Sequence, residues 1–145
     1  MIVAVWIEMI RGLTPHAGFR PPASDAAIRD CERALGDPLG DDLAALLRET
    51  NGVTGEYDLG LIWPVERVAA DNITFRTTPE FADLYMPFDA LLFFADAGNG
   101  DQFAFVLRDG RKDVFAWDHE TDSRSWVAPD LAKYLTWWLD GTIKL

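Results

Sequence analysis

The sequence contains a single cysteine, Cys31, and only two histidines, His16 and His119. One cysteine excludes an internal disulfide and a cysteine-rich zinc site. Cys31 falls on the apolar face of a predicted helix, where a free cysteine packs as a small hydrophobic residue. A catalytic thiolate needs a neighbouring base, and no histidine is close to Cys31 in the sequence. We therefore expect a protein without catalytic residues and without a cofactor.

Positive charge is also scarce. The 145 residues include 13 Lys and Arg against 24 Asp and Glu, which gives a formal net charge of -11. Binding of nucleic acid requires clustered Lys and Arg, and docking on an anionic membrane requires the same, so neither is an expected partner. An acidic surface accelerates association with a basic protein. Charge alone favours the simpler interpretation, a solvated surface that has no partner.

No apolar run approaches the roughly 18 residues of a membrane span. The first eight residues lack the positively charged segment that begins a secretory signal, and Glu8 interrupts their apolar run. We therefore expect a cytoplasmic protein. Hydrophobic residues make up 49% of the chain, which is sufficient for the core of one domain.

The stretch from 91 to 107 carries the strongest structural signal. Two apolar runs, Leu91–Ala95 and Phe103–Leu107, flank a turn that contains Asn99 and Gly100. These two residue types tolerate the positive φ that tight hairpins demand. We predict antiparallel pairing of 91–96 with 102–107. Since both faces of both runs are largely apolar, we place the hairpin in the middle of a sheet that is covered on both sides.

The first third of the chain predicts helices. Apolar residues three and four positions apart indicate an amphipathic helix over 2–13, and a proline-rich linker follows it. We assign residues 1–23 to this helix and linker and residues 24–145 to the main part of one structural domain. Ser24 is a suitable N-cap for a second helix, and two acidic residues at 41 and 42 favour the start of a third.

The remainder of the chain predicts mostly strands. Residues 57–62 alternate as a strand, and 65–70 resemble one or two helical turns. Residues 71–89 have weak periodicity and two prolines, which indicates a variable loop that allows a short helix over 80–85. The last elements are predicted as strands over 113–118 and 125–128 and a helix over 131–139. This order indicates an α+β fold, a single domain with a mainly antiparallel sheet and flanking helices.

The triplet Asp118-His119-Glu120 is the candidate for metal binding. Neighbouring strand residues point to opposite faces, so these three side chains do not easily converge on one ion. The segment Asp96–Asp101 resembles a calcium loop, but Gly98 stands at its third position and Leu107 at its twelfth. We therefore predict no metal site. A small metal-dependent hydrolase that uses His119 stays open as the weaker alternative.

Acidic residues recur at strand ends and turns, and the fold as predicted gathers some of them along one rim of the sheet. The candidate partner-binding residues, which we call the acidic rim, are Glu56, Asp58, Asp96, Asp101, Asp118, His119, Glu120 and Asp122. The competing surface is the variable segment 71–89. The sequence does not choose between the two.

Several stretches, in their order and spacing, resemble the SUKH superfamily over roughly residues 24–140. The matching stretches are 28–36, Leu39 with 43–52, 60–66, 91–107, 113–120 and 131–139. The chain departs from the pattern at Gly40, where many members carry proline, and this changes a turn rather than the fold. The resemblance implies a SUKH-like α+β domain.

The same resemblance implies a function. Bacterial SUKH proteins are mostly implicated as immunity proteins that bind and neutralise toxins delivered between competing cells, and fungal members act as interaction proteins in cell-wall regulation. The family has no catalytic residues to carry over. We therefore expect a non-enzymatic immunity protein whose partner is a basic protein toxin. The alternative is an intracellular interaction scaffold or regulator.

Overall fold

The computed structural model describes residues 4–108 and 111–145. Within them, the helices and strands follow one another in this order: α1 Val5–Leu13, β1 Gly18–Phe19, α2 Asp25–Leu35, α3 Asp41–Glu49, β2 Val53–Thr54, β3 Gly60–Ile62, α4 Val65–Thr77, α5 Pro79–Leu84, β4 Leu91–Asp96, β5 Gln102–Val106, β6 Val114–Trp117, β7 Arg124–Ala128 and α6 Leu131–Leu139. The α+β prediction is confirmed. The predicted N-cap is confirmed as well, because the Ser24 hydroxyl accepts the Ala27 N–H at 3.1 Å.

The strands form two antiparallel sheets, in the orders β1-β2-β3 and β4-β5-β6-β7. The predicted hairpin is confirmed: Leu91 lies opposite Val106 and Asp96 opposite Gln102, with an irregularity in the register beside Phe94. Its predicted place in the middle of a sheet is wrong for β4, which is an edge strand, and right for β5. Apolar residues on both faces indicate that a strand is covered above and below. They do not indicate that it has a neighbouring strand on each of its two edges.

Both faces of β4 are covered. On one face the Phe93 ring belongs to a cluster of aromatic side chains. Its other members are Phe75, Phe81, Tyr85, Phe88 and Trp117. On the opposite face the Phe94 ring stacks on Phe105 with centroids 4.3 Å apart and meets Tyr134 of α6 edge-on. The two layers of rings hold the helices on either side of the four-stranded sheet.

A buried asparagine seals the outer edge of β4. Asn72 of α4 is only 1% exposed. Its Nδ2 donates to the Phe93 carbonyl at 2.9 Å, and its Oδ1 accepts the Phe93 N–H at 2.8 Å. The side-chain amide thus makes the two hydrogen bonds that a neighbouring strand would make. An edge strand buried without such partners would leave backbone groups unsatisfied.

The rest of the β4 edge is closed on either side of Asn72. Arg76, one helical turn later, donates to the Leu91 carbonyl at 3.0 Å. The Trp63 N–H, just after β3, donates to the Phe94 carbonyl at 2.8 Å. That last bond brings the three-stranded sheet against the four-stranded one.

The variable loop predicted over 71–89 is wrong for residues 71–77, which belong to α4. The predicted short helix over 80–85 is confirmed as α5, one residue offset at each end. The physical reason is the sealed edge. The inward positions Asn72 and Arg76 are polar because they bind backbone groups of β4, so the apolar periodicity that marks a helix is lost.

The strand predicted over 57–62 is also wrong in its first half. Only Gly60–Ile62 is extended, and Glu56–Asp58 forms a 3₁₀ turn in which Tyr57 and Asp58 both have a φ of 59°. The chain must reverse between β2 and β3 within five residues, and this turn takes the residues that we expected to extend the strand.

The N-terminal segment is attached to the rest of the chain. Within the predicted linker, β1 pairs with β2, so Gly18 lies opposite Thr54. The Glu49 carboxylate of α3 accepts the N–H groups of Trp6 and Ile7 at 3.0 and 3.1 Å, which stabilises the start of α1. Residues 2 and 3 of the predicted first helix lie outside the described residues. The boundary at residue 23 stays a prediction.

Replacing Asn72 with Ala is expected to lower the free energy of unfolding by about 2–4 kcal/mol, because it leaves the N–H and the carbonyl of Phe93 without partners. Urea denaturation measures the loss. The matched control is Thr74→Ala on the exposed side of the same helix, where we expect a change below about 0.5 kcal/mol. Equal effects of the two substitutions would show that Asn72 does not seal the edge.

Candidate functional site

A cleft of about 500 Å³ lies between the 3₁₀ turn and the turn that joins β4 to β5. Four members of the acidic rim line it: Glu56, Asp58, Asp96 and Asp101. The first two are far from the last two in the sequence. They meet because the bond between Trp63 and Phe94 places the end of β3 beside β4. The cleft is therefore a product of the tertiary fold.

Asp101 connects this cleft to the turn between β6 and β7. Its Oδ1 lies 2.7 Å from Nδ1 of His119 and 3.2 Å from the backbone nitrogen of the same residue, which donates to it. The imidazole lies against Gly100, which has a φ of 97°, and a Cβ on that glycine would come within 2.8 Å of the ring. Only glycine fits both requirements. The turn and the cleft thus form one continuous surface.

The hydrogen bond to Asp101 raises the pKa of His119 above its ordinary value, and the neighbouring carboxylates add to the effect. Burial opposes ionisation of Asp101, but the hydrogen bonds from His119 and Asn99 outweigh it and lower the pKa of Asp101. The pair of His119 and Asp101 stabilises the folded state fully at a pH below the pKa of an unfolded histidine. This stabilisation is lost as pH rises through the raised pKa of His119 in the folded protein. The raised pKa of His119 favours its positively charged form beside the Asp101 carboxylate.

Asp96 is engaged in an ion pair. Arg67 of α4 donates to both carboxylate oxygens of Asp96, at 2.7 and 2.9 Å, and its guanidinium lies 4.0 Å from the centre of the Trp63 ring. In contrast, Glu56 and Asp58 are exposed and form no ion pair with any other residue that the structure describes. The open negative charge of the cleft therefore comes from its 3₁₀ turn.

Asp122 is held still more firmly. Its backbone adopts a φ of 60°. Its carboxylate accepts hydrogen bonds from Nε1 of Trp117 and from the Met86 N–H, each at 2.8 Å, and from Arg124 at 3.1 Å. Burial opposes its ionisation, but these three donors outweigh burial and lower the pKa of Asp122. The residue fastens the segment after α5 to the turn between β6 and β7.

Asp118 and Glu120 lie in the same turn and differ in availability. One oxygen of Asp118 accepts the Glu120 N–H at 2.8 Å and stabilises the turn. The Glu120 side chain is exposed. Together with the 3₁₀ turn, Glu120 supplies the acidic rim with its most accessible charges.

The carboxylates of Asp101 and Asp118 and the His119 imidazole each place one atom within 4.8 Å of the others, which is a geometry that suits a metal ion. The sequence analysis missed Asp101 as a partner of His119, because the two are joined across neighbouring hairpins. Hydrogen bonds account for the arrangement without an ion. Asp101 is bound to His119, and Asp118 is bound to the amides of its own turn.

Cys31 does not suit nucleophilic chemistry. Burial raises the pKa of its thiol to about 11, with a smaller contribution from the negative charge of Glu32. The thiolate, which is the reactive form, is therefore scarce at neutral pH.

Tyr57 stands at the mouth of the cleft, and the sequence analysis missed it. The pattern of the sequence places it in the strand predicted over 57–62. In the structure its side chain is 94% exposed, and the left-handed backbone at Tyr57 and Asp58 directs it away from the core. Tyrosine is enriched among the side chains that dominate protein–protein binding.

A sequence profile of the SMI1 / KNR4 family (SUKH-1) matches residues 22–137. The matched region includes the whole acidic rim, the cleft and all elements from α2 to β7. No curated protein matches the chain. Among the described residues, no helix is long and apolar enough to cross a membrane.

The purified protein is expected to hold no stoichiometric zinc, because hydrogen bonds within the protein already occupy Asp101, Asp118 and His119. Elemental analysis of wild type, His119→Ala and His16→Ala checks this. About one metal per chain, lost in His119→Ala and kept in His16→Ala, would favour the hydrolase alternative.

Asp122→Asn is expected to lower the free energy of unfolding by about 1–2 kcal/mol, because asparagine keeps the shape and tolerates the left-handed backbone but loses the charge. A carboxyl whose pKa is depressed in the folded state contributes stability above its unfolded pKa and loses it as pH falls through the folded one. The difference in the free energy of unfolding between Asp122→Asn and wild type should therefore shrink below about pH 4. Chemical denaturation at several pH values measures it, with the exposed Asp83→Asn as the control. A difference that does not depend on pH would contradict the role of charge.

Proposed function

The chain belongs to the SMI1 / KNR4 family (SUKH-1), and we propose that it is a non-enzymatic immunity protein that binds a basic protein toxin and neutralises it. The observation that supports binding is the acidic rim. Carboxylates from two segments that are distant in the sequence line a cleft of about 500 Å³: Glu56 and Asp58, which are exposed, and Asp96 and Asp101, which are half-buried. The net charge of -11 makes the chain a natural partner for a positively charged protein.

The available part of the rim is smaller than its eight residues. Arg67 neutralises Asp96, and Asp122 is bound within the protein. Glu56, Asp58 and Glu120 are left as the exposed charges, with Asp101, Asp118 and His119 between them. A partner that carries Lys and Arg would meet the exposed charges first.

Neutralisation follows from where such a partner carries its positive charge. A toxin that acts on nucleic acid or on another anionic target needs a positive cleft to bind that target. A complementary acidic surface that occupies the cleft excludes the target. Electrostatic complementarity also favours fast encounter and disfavours wrong partners.

Co-expression tests the proposal directly. A toxic domain encoded beside the gene for this chain should stop growth of a bacterial host, and the chain should restore growth and co-purify with that domain. A stable partner that is not toxic would favour the scaffold or regulator alternative. Failure of the chain to protect against any neighbouring toxic domain would count against the immunity role.

Reversing two exposed rim charges, Glu56→Lys with Glu120→Lys, is expected to slow association with the purified toxin domain by about tenfold at low salt and to weaken its salt dependence. Both side chains are exposed, so the fold should persist. Stopped-flow association at several salt concentrations measures the effect.

The control for this experiment is Glu8→Lys with Asp30→Lys, which changes the net charge equally at exposed helical positions in α1 and α2. An association rate that responds equally to both double variants would reflect net charge alone. A rate that responds to neither variant nor to salt would rule out the acidic rim as the binding surface.

A further inference from the structure

Two large apolar side chains are exposed at the end of α5. Leu84 is 69% and Met86 57% exposed. We call these two residues the apolar patch. Their neighbours Phe81 and Tyr85 turn the other way, into the aromatic cluster around Phe88. This short segment thus buries two aromatic rings in the core and leaves two large apolar side chains in water. Such exposure of apolar surface is unfavourable unless something covers it.

The patch is held in place by its backbone. The Met86 N–H donates to Asp122 at 2.8 Å, and Arg124 donates to the carbonyls of Met86 and Pro87 at 2.8 and 3.0 Å. These bonds fix the segment on both sides of the Met86 side chain. A fixed apolar surface loses little conformational entropy when a partner covers it.

The patch adjoins the acidic rim. Tyr85 lies between Leu84 and Met86 in the sequence, and its hydroxyl donates to the His119 carbonyl at 3.0 Å. Asp122, which holds Met86, belongs to the same turn as Glu120. Asp83 and Asp89 lie close to the patch in the sequence, and both are exposed. Because Arg124 offsets the charge of Asp122, the exposed negative charge closest to the patch in the sequence comes from Asp83 and Asp89.

The charge around the apolar patch indicates which kind of molecule would cover it. A second copy of the chain would bring a net charge of -11 against an acidic surface, and like charges that face each other oppose association. A protein with apolar side chains surrounded by Lys or Arg matches both the patch and its flanks. Methionine suits such a surface because its flexible side chain adapts to different partners.

We propose that Leu84 and Met86 are the apolar anchor of the surface that binds the basic toxin, an inference that rests on the proposed function. The acidic rim sets the rate of association, and the patch sets the rate of dissociation. Interfaces commonly combine a dry apolar centre, which carries most of the binding energy, with a charged periphery.

The test uses the purified toxin domain that wild-type chain neutralises in co-expression. Leu84→Ser with Met86→Ser should speed dissociation by at least about tenfold and leave the association rate within about twofold. The matched control, Val5→Ser with Leu145→Ser, makes the same kind of change at apolar side chains of similar exposure. It should leave both rates unchanged. Thermal unfolding verifies that each variant folds, and Met86→Gln alone serves if the double variant does not.

The outcomes separate the two proposals. If wild-type chain protects against no toxic domain and binds none, the proposed function fails and this inference fails with it. If wild type protects and binds, but the patch variant dissociates as slowly as wild type, only the inference is overturned. A wild-type dimer that the patch substitutions convert to monomer would also overturn it, because a second copy would then cover the patch.

Discussion

The open edge of β4 is the constraint on which the arrangement of this protein depends. Aromatic layers bury both faces of the strand, so its outward N–H and carbonyl groups have no access to water and need partners. Asn72 supplies them for Phe93, and Arg76 for Leu91. Because these two residues are one turn apart on α4, they fix the helix along the strand. Arg67, earlier on the same helix, then meets Asp96, which lies at the end of β4 and lines the cleft.

Local signals were predictable from the sequence and long-range polar contacts were not. The hairpin around Asn99 and Gly100 follows from turn chemistry, and the cap at Ser24 follows from the needs of a helix start. The second half of α4 was missed because two of its inward positions, Asn72 and Arg76, are polar. Such a helix is recognised only when the strand edge it serves is known. The pairing of Asp101 with His119 was missed for the same reason, since two separate turns must first be placed side by side.

The acidic rim shows why charge counted along a sequence overstates the charge that a partner meets. Its residues lie at strand ends, where a carboxylate is well placed to bind backbone amides and neighbouring cations. Asp122 and Asp118 organise a turn, and Asp96 receives Arg67. These carboxylates stabilise the surface, whereas the carboxylates of Glu56, Asp58 and Glu120 expose their negative charge to solvent. Structural and exposed carboxylates have the same signature in the sequence, and only the contacts distinguish them.

Electrostatics alone does not suffice for the tight binding that the proposed neutralisation of a toxin requires. Exposed charge pairs contribute up to about 1 kcal/mol each, and physiological salt screens them beyond about 8 Å. Three exposed carboxylates therefore fall well short of the roughly 12 kcal/mol of a nanomolar complex. Apolar burial has to supply most of the rest. The exposed side chains of Tyr57 at the cleft and of Leu84 and Met86 beside the turn are the apolar groups that adjoin the acidic rim. In the proposed complex the charges bring the partner to the surface, and the apolar side chains retain it.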